Sequence, residues 1–535
     1  MTTDQLDVGT NAGLRRDTAV VTVCTLVSRV SGFGRVLAVA AVLGSGLLGD
    51  VYQTANLIPN LLFELVAAGV LQAVLVPTFV EASRTGGRTA LSSAVRAANG
   101  VVLLTLGGIA TLGMLASPLL TRVMVAAEPS RQVAHDKLHL MVPMVLVFVP
   151  QLICYGLATV TSAALNARGR FVAAALAPAV NNVVVIAACL WFRWSRHGAV
   201  ADLHLSNFQF AIIAGGTTLG VLAYSLTPAM MLTADRVHWW PRWRPHHEAV
   251  VSMRASFGWA TLSIVGTLVP TAMALAVGNG APGGVAVFVY AFAYFVLPHA
   301  LIAVPMATTL APRVADRWQV GDRESVQSSI DTAIRLAVPL LVLGGAGMVA
   351  LGWPLSRFAA FGQTASQGHA PIAHTVAAFG PGLVGYGIAF VLTRVLFSIG
   401  DVKVAALLMI GGAVLGVAWM GVGSAVMAPT ERATALAIGY GLSQTVAAVL
   451  LTFRVHRITG SMGPRTVLRV LAEALLAGTV SVVVMLWIVS LFGTRRRQAA
   501  EAMLLAGVAG VAVFACVMAL LRWREIAARR PQQLL

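Results

Sequence analysis

Charged residues are scarce in this sequence. Of its 535 residues only 11% are charged, whereas 58% are hydrophobic, and the mean hydropathy is +0.82. A soluble globular domain typically carries about 25% charged residues. The shortage of charge therefore excludes a water-soluble fold and predicts a protein that crosses a membrane many times.

Sequence signatures of catalysis, metal binding and ATP use are absent as well. The chain has no G-x-x-x-x-G-K-[ST] loop, which argues against direct use of ATP. No nucleophile–base or metal-ligand spacing emerges, so neither an enzyme, a metal site nor a cofactor is predicted. The four cysteines lie in apolar segments and are expected to be small packing residues: Cys24, Cys154, Cys189 and Cys516.

Long apolar runs are what the sequence has instead. A run of about 20 apolar residues can cross a bilayer as a helix. We predict about fourteen such helices and an all-α polytopic membrane protein. The windows are 19–44, 51–81, 94–118, 138–165, 171–192, 208–233, 254–277, 285–312, 328–354, 372–397, 402–427, 433–453, 466–492 and 500–521.

An internal repeat organises these helices. Tyr155-Gly156-Leu157-Ala158 and the later Gly169 are echoed by Tyr386-Gly387-Ile388-Ala389 and Gly400, and both echoes are 231 residues apart. The echo relates predicted helices four and five to ten and eleven, so the repeat unit is six helices. Because an even number of crossings returns the chain to its starting side, we expect two parallel lobes around a central cavity. The last two helices are then an appendage.

The net charge of +17 reflects topology in this interpretation, and nucleic-acid binding is not predicted. The arginines concentrate in alternate loops, which places both termini in the cytoplasm by the positive-inside rule. One of these loops combines tryptophans with arginines and is expected to anchor on membrane lipids. The predicted parts are a cytoplasmic tail (1–18), an N-lobe (19–234), the basic and aromatic loop (235–253), a C-lobe (254–454), a two-helix appendage (455–522) and a second cytoplasmic tail (523–535).

The first apolar run contains two arginines. Arg29 and Arg35 flank Gly32 and Gly34, and each would cost roughly 2.5–3.5 kcal/mol at the bilayer centre if it faced lipid. On a helix they lie about 120° apart with Gly32 halfway between, so they are predicted to line a wet cavity and bind one bulky anion. Alternatively, the two arginines are structural and pair with Asp50 or Glu64.

The second run adds further candidates. Proline cannot satisfy the carbonyl four residues back, so Pro59 is a candidate bending point, as are Gly32 and Gly34. Asn60 is expected to line the cavity next to it. Asp50 and Glu64 are candidate ion or proton sites. Transport could be coupled to the membrane potential, to H+ or to Na+. The free energy from the potential is large enough, since it is about 2.3 kcal/mol per charge per 100 mV.

Several blocks of the sequence resemble the MviN/MurJ family, the lipid II flippases of the multidrug/oligosaccharidyl-lipid/polysaccharide exporter superfamily. The resemblance touches most of predicted helices one to twelve, and its first block is the most specific. The blocks are S-R-V-S-G-F-G-R at 28–35, N-L-I-P-N-L-L at 56–62, V-P-T-F at 76–79, N-A-R-G-R-F at 166–171, A-P-A-V-N-N at 177–182, L-P at 297–298, A-P-R at 311–313 and R-V-L-F at 394–397.

The resemblance implies substrate-binding roles for Arg29 and Arg35, and Asp50 corresponds to the family's acidic residue after the first helix. Two cations of other members are missing, at Phe63 and Ala293, and Arg394 is a candidate to replace them. The implied cargo is lipid II, an undecaprenyl-diphosphate-linked muropeptide. It would be moved by alternating access in the bacterial plasma (inner) membrane, for peptidoglycan biosynthesis and cell shape.

Other functions and partners stay open from the sequence. The chain could instead export a drug or another glycan lipid of the same superfamily. It could also be a non-transporting scaffold in cell-wall assembly. Proteins of cell-wall synthesis or division are possible partners in either case.

Overall fold

The structure is a computed structural model that describes residues 4–67, 71–197, 202–255, 259–461, 463–493 and 495–529. These residues form helices and loops without strands, and a π-helical stretch (Ala211–Gly215) and a 3-10 turn (Pro429–Glu431) interrupt the α-helices. The α-helices are α1 (Asp4–Leu43), α2 (Leu47–Ala67), α3 (Leu71–Leu115), α4 (Ser117–Val125), α5 (Arg131–Phe148), α6 (Gln151–Ala167), α7 (Phe171–Ser195), α8 (Asn207–Phe210), α9 (Gly216–Ala234), α10 (Glu248–Ala255), α11 (Trp259–Gly278), α12 (Gly284–Gln319), α13 (Arg323–Ala359), α14 (Gly362–Gln367), α15 (Ala370–Ser398), α16 (Val402–Val426), α17 (Arg432–Thr459), α18 (Pro464–Ser490) and α19 (Arg496–Arg529).

The predicted fold class, an all-α polytopic membrane protein, is confirmed. Within the described ranges, 12 helical segments are long and apolar enough to cross a membrane. The predicted window 254–277 covers the end of α10 and most of α11, and residues 256–258 within it lie outside the described residues. The apolar part of α11, Ile264–Gly278, is too short to count among the 12. The window 51–81 covers α2 and the start of α3, and residues 68–70 within it lie outside the described residues. The count of about fourteen crossings therefore stays a prediction.

Two glycines break α3 into two helices. Gly86 has φ −138° and Gly87 has φ +59° with ψ −145°, neither of which is helical. Glycine adopts such a conformation readily because it has no Cβ. The break separates the predicted windows 51–81 and 94–118, so α3 contributes to two successive crossings.

The chain divides into two compact units. Unit 1 comprises Met1–Val125 and Ser130–Thr261, and unit 2 comprises Ala126–Pro129 and Leu262–Leu535. The division after Thr261 comes later than the predicted start of the C-lobe at 254. The loop 235–253 belongs to unit 1, because α10 packs on α3.

Each unit shows the same order of helix packing. In unit 1, α6 contacts α3 and α9, and α7 contacts α1 and α9. In unit 2, α15 contacts α13 and α17, and α16 contacts α17. The helix α16 also meets α11, since a Cβ on Gly266 would lie 2.7 Å from the Cβ of Met409. The helices α18 and α19 pack on each other and on α13.

The repeat is also present in a turn of each unit. After α6, the Arg170 N–H donates to the Leu165 carbonyl at 2.9 Å, and after α15 the Asp401 N–H donates to the Leu396 carbonyl at 2.9 Å. The intervening glycines, Gly169 and Gly400, have φ values of +72° and +87°. A helix that ends on a left-handed glycine satisfies its last carbonyls in this way.

An ion pair holds the residue that follows each turn glycine, and the positions of the acid and the base are reversed between the two units. In unit 1, Arg170 lies 3.2 Å from Asp235, the residue that ends α9. In unit 2, the carboxylate is on the turn, and Asp401 lies 2.7 Å from Arg454 near the end of α17. We call these two ion pairs the turn clamps. Each clamp fixes a turn to the last helix of its six-helix repeat.

Breaking the unit 2 clamp is expected to reduce stability modestly. Because Arg454 is partly exposed, Arg454→Asp should lower the free energy of unfolding by about 1 kcal/mol. Thermal unfolding of the purified protein in detergent measures this. Adding Asp401→Arg should restore the midpoint, whereas Arg457→Ala, at an exposed position of the same helix, should leave it unchanged. A double variant no more stable than Arg454→Asp alone would contradict the clamp.

The basic and aromatic loop is attached to α3 through hydrogen bonds. The Asn99 side chain donates to the Trp239 carbonyl at 2.6 Å, and the Arg242 N–H donates to the Arg96 carbonyl at 2.9 Å. Trp240 and Trp243 are 69% and 54% exposed. The loop therefore presents both indoles from a fixed backbone, which is the arrangement that a membrane anchor needs.

Candidate functional site

The packing of α1 on α7 distinguishes the two arginines of the first helix. The Asn182 side chain of α7 donates to Ser31 Oγ at 3.0 Å and to the Ser28 carbonyl at 3.4 Å. At about 100° per residue, Arg35 lies within about 40° of Ser31, and Arg29 lies about 160° away. Accordingly Arg35 is half-buried and Arg29 is exposed.

The two glycines between them differ in surroundings. A Cβ on Gly32 would lie 3.5 Å from Asn182 Nδ2, which is ordinary contact, whereas a Cβ on Gly34 would have no atom within 4 Å. The helix α1 is continuous through both positions. Gly32 thus faces α7, and the bending role of the two glycines stays a prediction.

Two tyrosines of unit 1 lie within electrostatic range of Arg35. Its charge acts electrostatically on Tyr52 and Tyr155. The Tyr52 hydroxyl lies 2.9 Å from Thr217 Oγ1. Since Thr217 donates its own proton to the Ile213 carbonyl, Tyr52 is the donor to Thr217. These contacts hold the Tyr52 ring in place near the guanidinium.

The helix α2 carries four of the predicted site residues. Asp50 is completely buried and Glu64 is exposed. Pro59 lies within the helix. Asn60 donates to the Asn56 carbonyl at 2.9 Å. Asn60 lies one turn before Phe63 on α2 and is a polar neighbour of the Tyr155 hydroxyl.

Tyr155 is the residue that sequence reasoning missed as a site residue. It is at the centre of an aromatic strip, with ring centroids 5.5 Å from Phe63 and 6.2 Å from Tyr224. The sequence singled out Tyr155 only as a marker of the repeat. Its echo at Tyr386 was the available signal, since Tyr386 likewise joins the rings of its own unit.

The corresponding region of unit 2 is an aromatic cluster. The Tyr386 ring lies 5.1 Å from Phe295 and 6.1 Å from Tyr440, and Phe295 lies 4.8 Å from Phe379. Phe295 and Phe379 are completely buried and Tyr440 is 2% exposed. Tyr386 itself is half-buried.

Arg394, the candidate replacement for the two missing cations, belongs to unit 2. It is exposed, and its guanidinium lies 5.4 Å from the centroid of the Phe390 ring one turn earlier on α15. A cation over an aromatic face is favourable by about 0.5–1 kcal/mol at exposed sites. The stacking orients Arg394 without neutralising it.

Metal ligation finds no support in the part of the chain that the structure describes. No group of three His, Cys, Asp or Glu side chains in these ranges is placed to hold a metal ion. The polar side chains in the neighbourhood of Tyr155 are instead an arginine and an asparagine. With the tyrosine they offer cationic and neutral hydrogen-bond donors. Such a set suits an anionic, oxygen-rich ligand.

The fold defines the class of protein as an all-α polytopic membrane protein. The chain is similar to a multidrug resistance MATE family transporter of the MOP superfamily in its inward-facing conformation, with a TM-score of 0.65 and 16% identity over 81% of this chain and 96% of that one. It is also similar to lipid II flippase MurJ in the inward closed conformation, with a TM-score of 0.73 and 17% identity over 95% of this chain and 100% of that one.

The sequence then gives the family. The model of the lipid II flippase MurJ family matches residues 39–506, and the chain belongs to that family. A probable lipid II flippase MurJ of Rhizobium meliloti is 27% identical over 70% of this chain and 68% of that protein. Lipid II flippase MurJ of Burkholderia cenocepacia is 25% identical over 72% and 74%. A Rhizobium tropici relative is 28% identical, and the match spans 59% of each chain.

Proposed function

We propose that this protein is a lipid II flippase, which moves undecaprenyl-diphosphate-linked muropeptide from the inner to the outer leaflet of the bacterial plasma membrane. The observation that carries the proposal is the family match over residues 39–506. Arg29 and Arg35 precede this range. Their part in the function therefore rests on the resemblance of residues 28–35 and on the surroundings of Arg35.

The chemistry of the cargo explains what unit 1 would contribute. The lipid tail stays in the bilayer, whereas the charged head cannot cross hydrocarbon without a polar route. A guanidinium offers paired N–H donors that match diphosphate oxygens. Arg35 supplies that fork from a half-buried position, and Asn60 and Tyr155 add neutral hydrogen-bonding groups nearby.

Movement and energy complete the proposal. Two six-helix lobes that rock about a central cavity would expose the head to each side in turn. No cofactor is needed, because the membrane potential, H+ or Na+ can drive the cycle. Asp50, which is completely buried, and Glu64 are the candidate coupling carboxylates. Both termini are cytoplasmic in this arrangement, and proteins of cell-wall synthesis or division are its natural partners.

Replacement of an essential lipid II flippase tests the function directly. In bacteria depleted of their own flippase, this chain should sustain growth and outer-leaflet lipid II, measured by cleavage of lipid II with an externally added enzyme. Loss of both, with the chain inserted at normal levels, would contradict the proposal. Uptake of cationic drugs into vesicles that contain the chain would then favour an exporter, which the structural likeness to a MATE transporter also allows.

A further inference from the structure

Three helices of unit 1 bring aromatic rings to one place. Phe63 comes from α2, Tyr155 from α6 and Tyr224 from α9, and we call these three side chains the Tyr155 strip. The helix α6 contacts both α2 and α9, so the strip lies where three helices converge. All three rings are half-buried.

The counterpart of Tyr155 in unit 2 has different aromatic neighbours. Tyr386 is the counterpart of Tyr155 in the 231-residue repeat, and it packs in a cluster whose other members include the buried Phe295, Phe379 and Tyr440. Tyr386 itself is half-buried, but the rings around it are buried. In the Tyr155 strip all three rings keep part of their surface accessible.

Polar groups lie beside the strip. Asn60 lies one turn before Phe63 on α2, whose ring is 5.5 Å from that of Tyr155, and it is a polar neighbour of the Tyr155 hydroxyl. Tyr155 is also within electrostatic range of Arg35. An amide provides donors and acceptors, and a phenol provides one donor and an acceptor. The site therefore joins an aromatic surface, neutral hydrogen-bonding groups and a cation within one unit.

We propose that the Tyr155 strip is a subsite for a pyranose ring, which it holds next to the diphosphate bound by Arg35; this inference rests on the proposed function. The face of an aromatic ring is electronegative and attracts the polarised C–H groups of a sugar. Sugar hydroxyls require the donors and acceptors that Asn60 and Tyr155 offer. In the cargo the first sugar is bonded directly to the diphosphate, so its subsite has to adjoin the cation.

Binding of two probes to the purified full-length protein, measured by native mass spectrometry, tests the subsite. Undecaprenyl diphosphate carries no sugar, whereas lipid II carries two. Tyr155→Leu should weaken lipid II binding by about tenfold, as expected for truncating a central aromatic contact, and should leave undecaprenyl diphosphate binding unchanged. Arg35→Ala should weaken binding of both probes.

Further variants keep the test decisive. Tyr155→Phe retains the ring and should lose only about two- to threefold in lipid II affinity, the loss of one neutral hydrogen bond. Phe63→Leu should behave like Tyr155→Leu if the latter does not fold. Phe208→Leu, which changes an exposed ring that pairs with Trp191 in the same unit, should have no effect.

The outcomes separate the subsite from the function. If the strip variants weaken both probes equally, or if wild-type protein binds both probes equally well, the pyranose subsite is wrong while the flippase function stands. If wild-type protein binds neither probe, the proposed function itself fails.

Discussion

Arg35→Ala is expected to abolish translocation of lipid II while the protein remains folded and inserted. Arg35 is half-buried on the face of α1 that packs against α7, within electrostatic range of Tyr155. Removing a guanidinium from a membrane segment relieves a desolvation cost, so the fold should persist. Lysine should rescue transport only in part, because it offers a point charge in place of a planar fork.

Alanine variants of three other arginines provide the comparison for Arg35→Ala. Arg29→Ala is also expected to abolish transport, and Arg394→Ala to reduce it. Arg84→Ala, at an exposed position, is the control and should transport normally. Each variant is reconstituted in proteoliposomes, and labelled lipid II that reaches the outer leaflet is measured with a membrane-impermeant quencher. If the alanine variants of Arg29, Arg35 and Arg394 all transport normally, the flippase proposal falls and a cell-wall scaffold becomes the better interpretation.

Gly416→Leu should prevent unit 2 from folding correctly. A Cβ on Gly416 of α16 would lie 2.4 Å from the Ser443 Cβ and 2.5 Å from the Gly439 carbonyl oxygen, both on α17. The neighbouring backbone cannot move aside as a flexible side chain could. We expect a cost of at least about 3 kcal/mol, the upper end for overpacking, seen as aggregation on size-exclusion chromatography in detergent.

A second glycine of α16 provides the matched control. A Cβ on Gly421 would have no atom within 4 Å, so Gly421→Leu should elute as wild type. Both substitutions add the same side chain to the same helix, and only the helix contact differs. Normal elution of Gly416→Leu would show that α16 and α17 are not packed as closely as described.

The sequence predicted the fold well because membrane helices leave a simple signal. Apolar runs of sufficient length must become helices, since lipid satisfies no backbone hydrogen bonds. The 231-residue echo indicated the repeat, and the turns at Gly169 and Gly400 show it in matching hydrogen bonds. The predicted windows 51–81 and 94–118 also lie on either side of the two-glycine break in α3.

The site was less accessible to prediction. The helical repeat gave the angle between Arg29 and Arg35, but only the contact with Asn182 shows which of them faces the packed side of α1. Phe63, Tyr155 and Tyr224 are far apart in sequence and lie in three separate helices. Their meeting depends on how α2, α6 and α9 pack, which residue periodicity does not specify.

The reversed polarity of the turn clamps means that the two six-helix halves are no longer interchangeable parts. If the Arg168-Gly169-Arg170 turn were transplanted between α15 and α16, its second arginine would face Arg454 instead of a carboxylate, and like charges would repel. The two members of each pair must therefore be inherited together. A chimera assembled from halves of different relatives is compatible only when its cuts leave each turn with its own helix end.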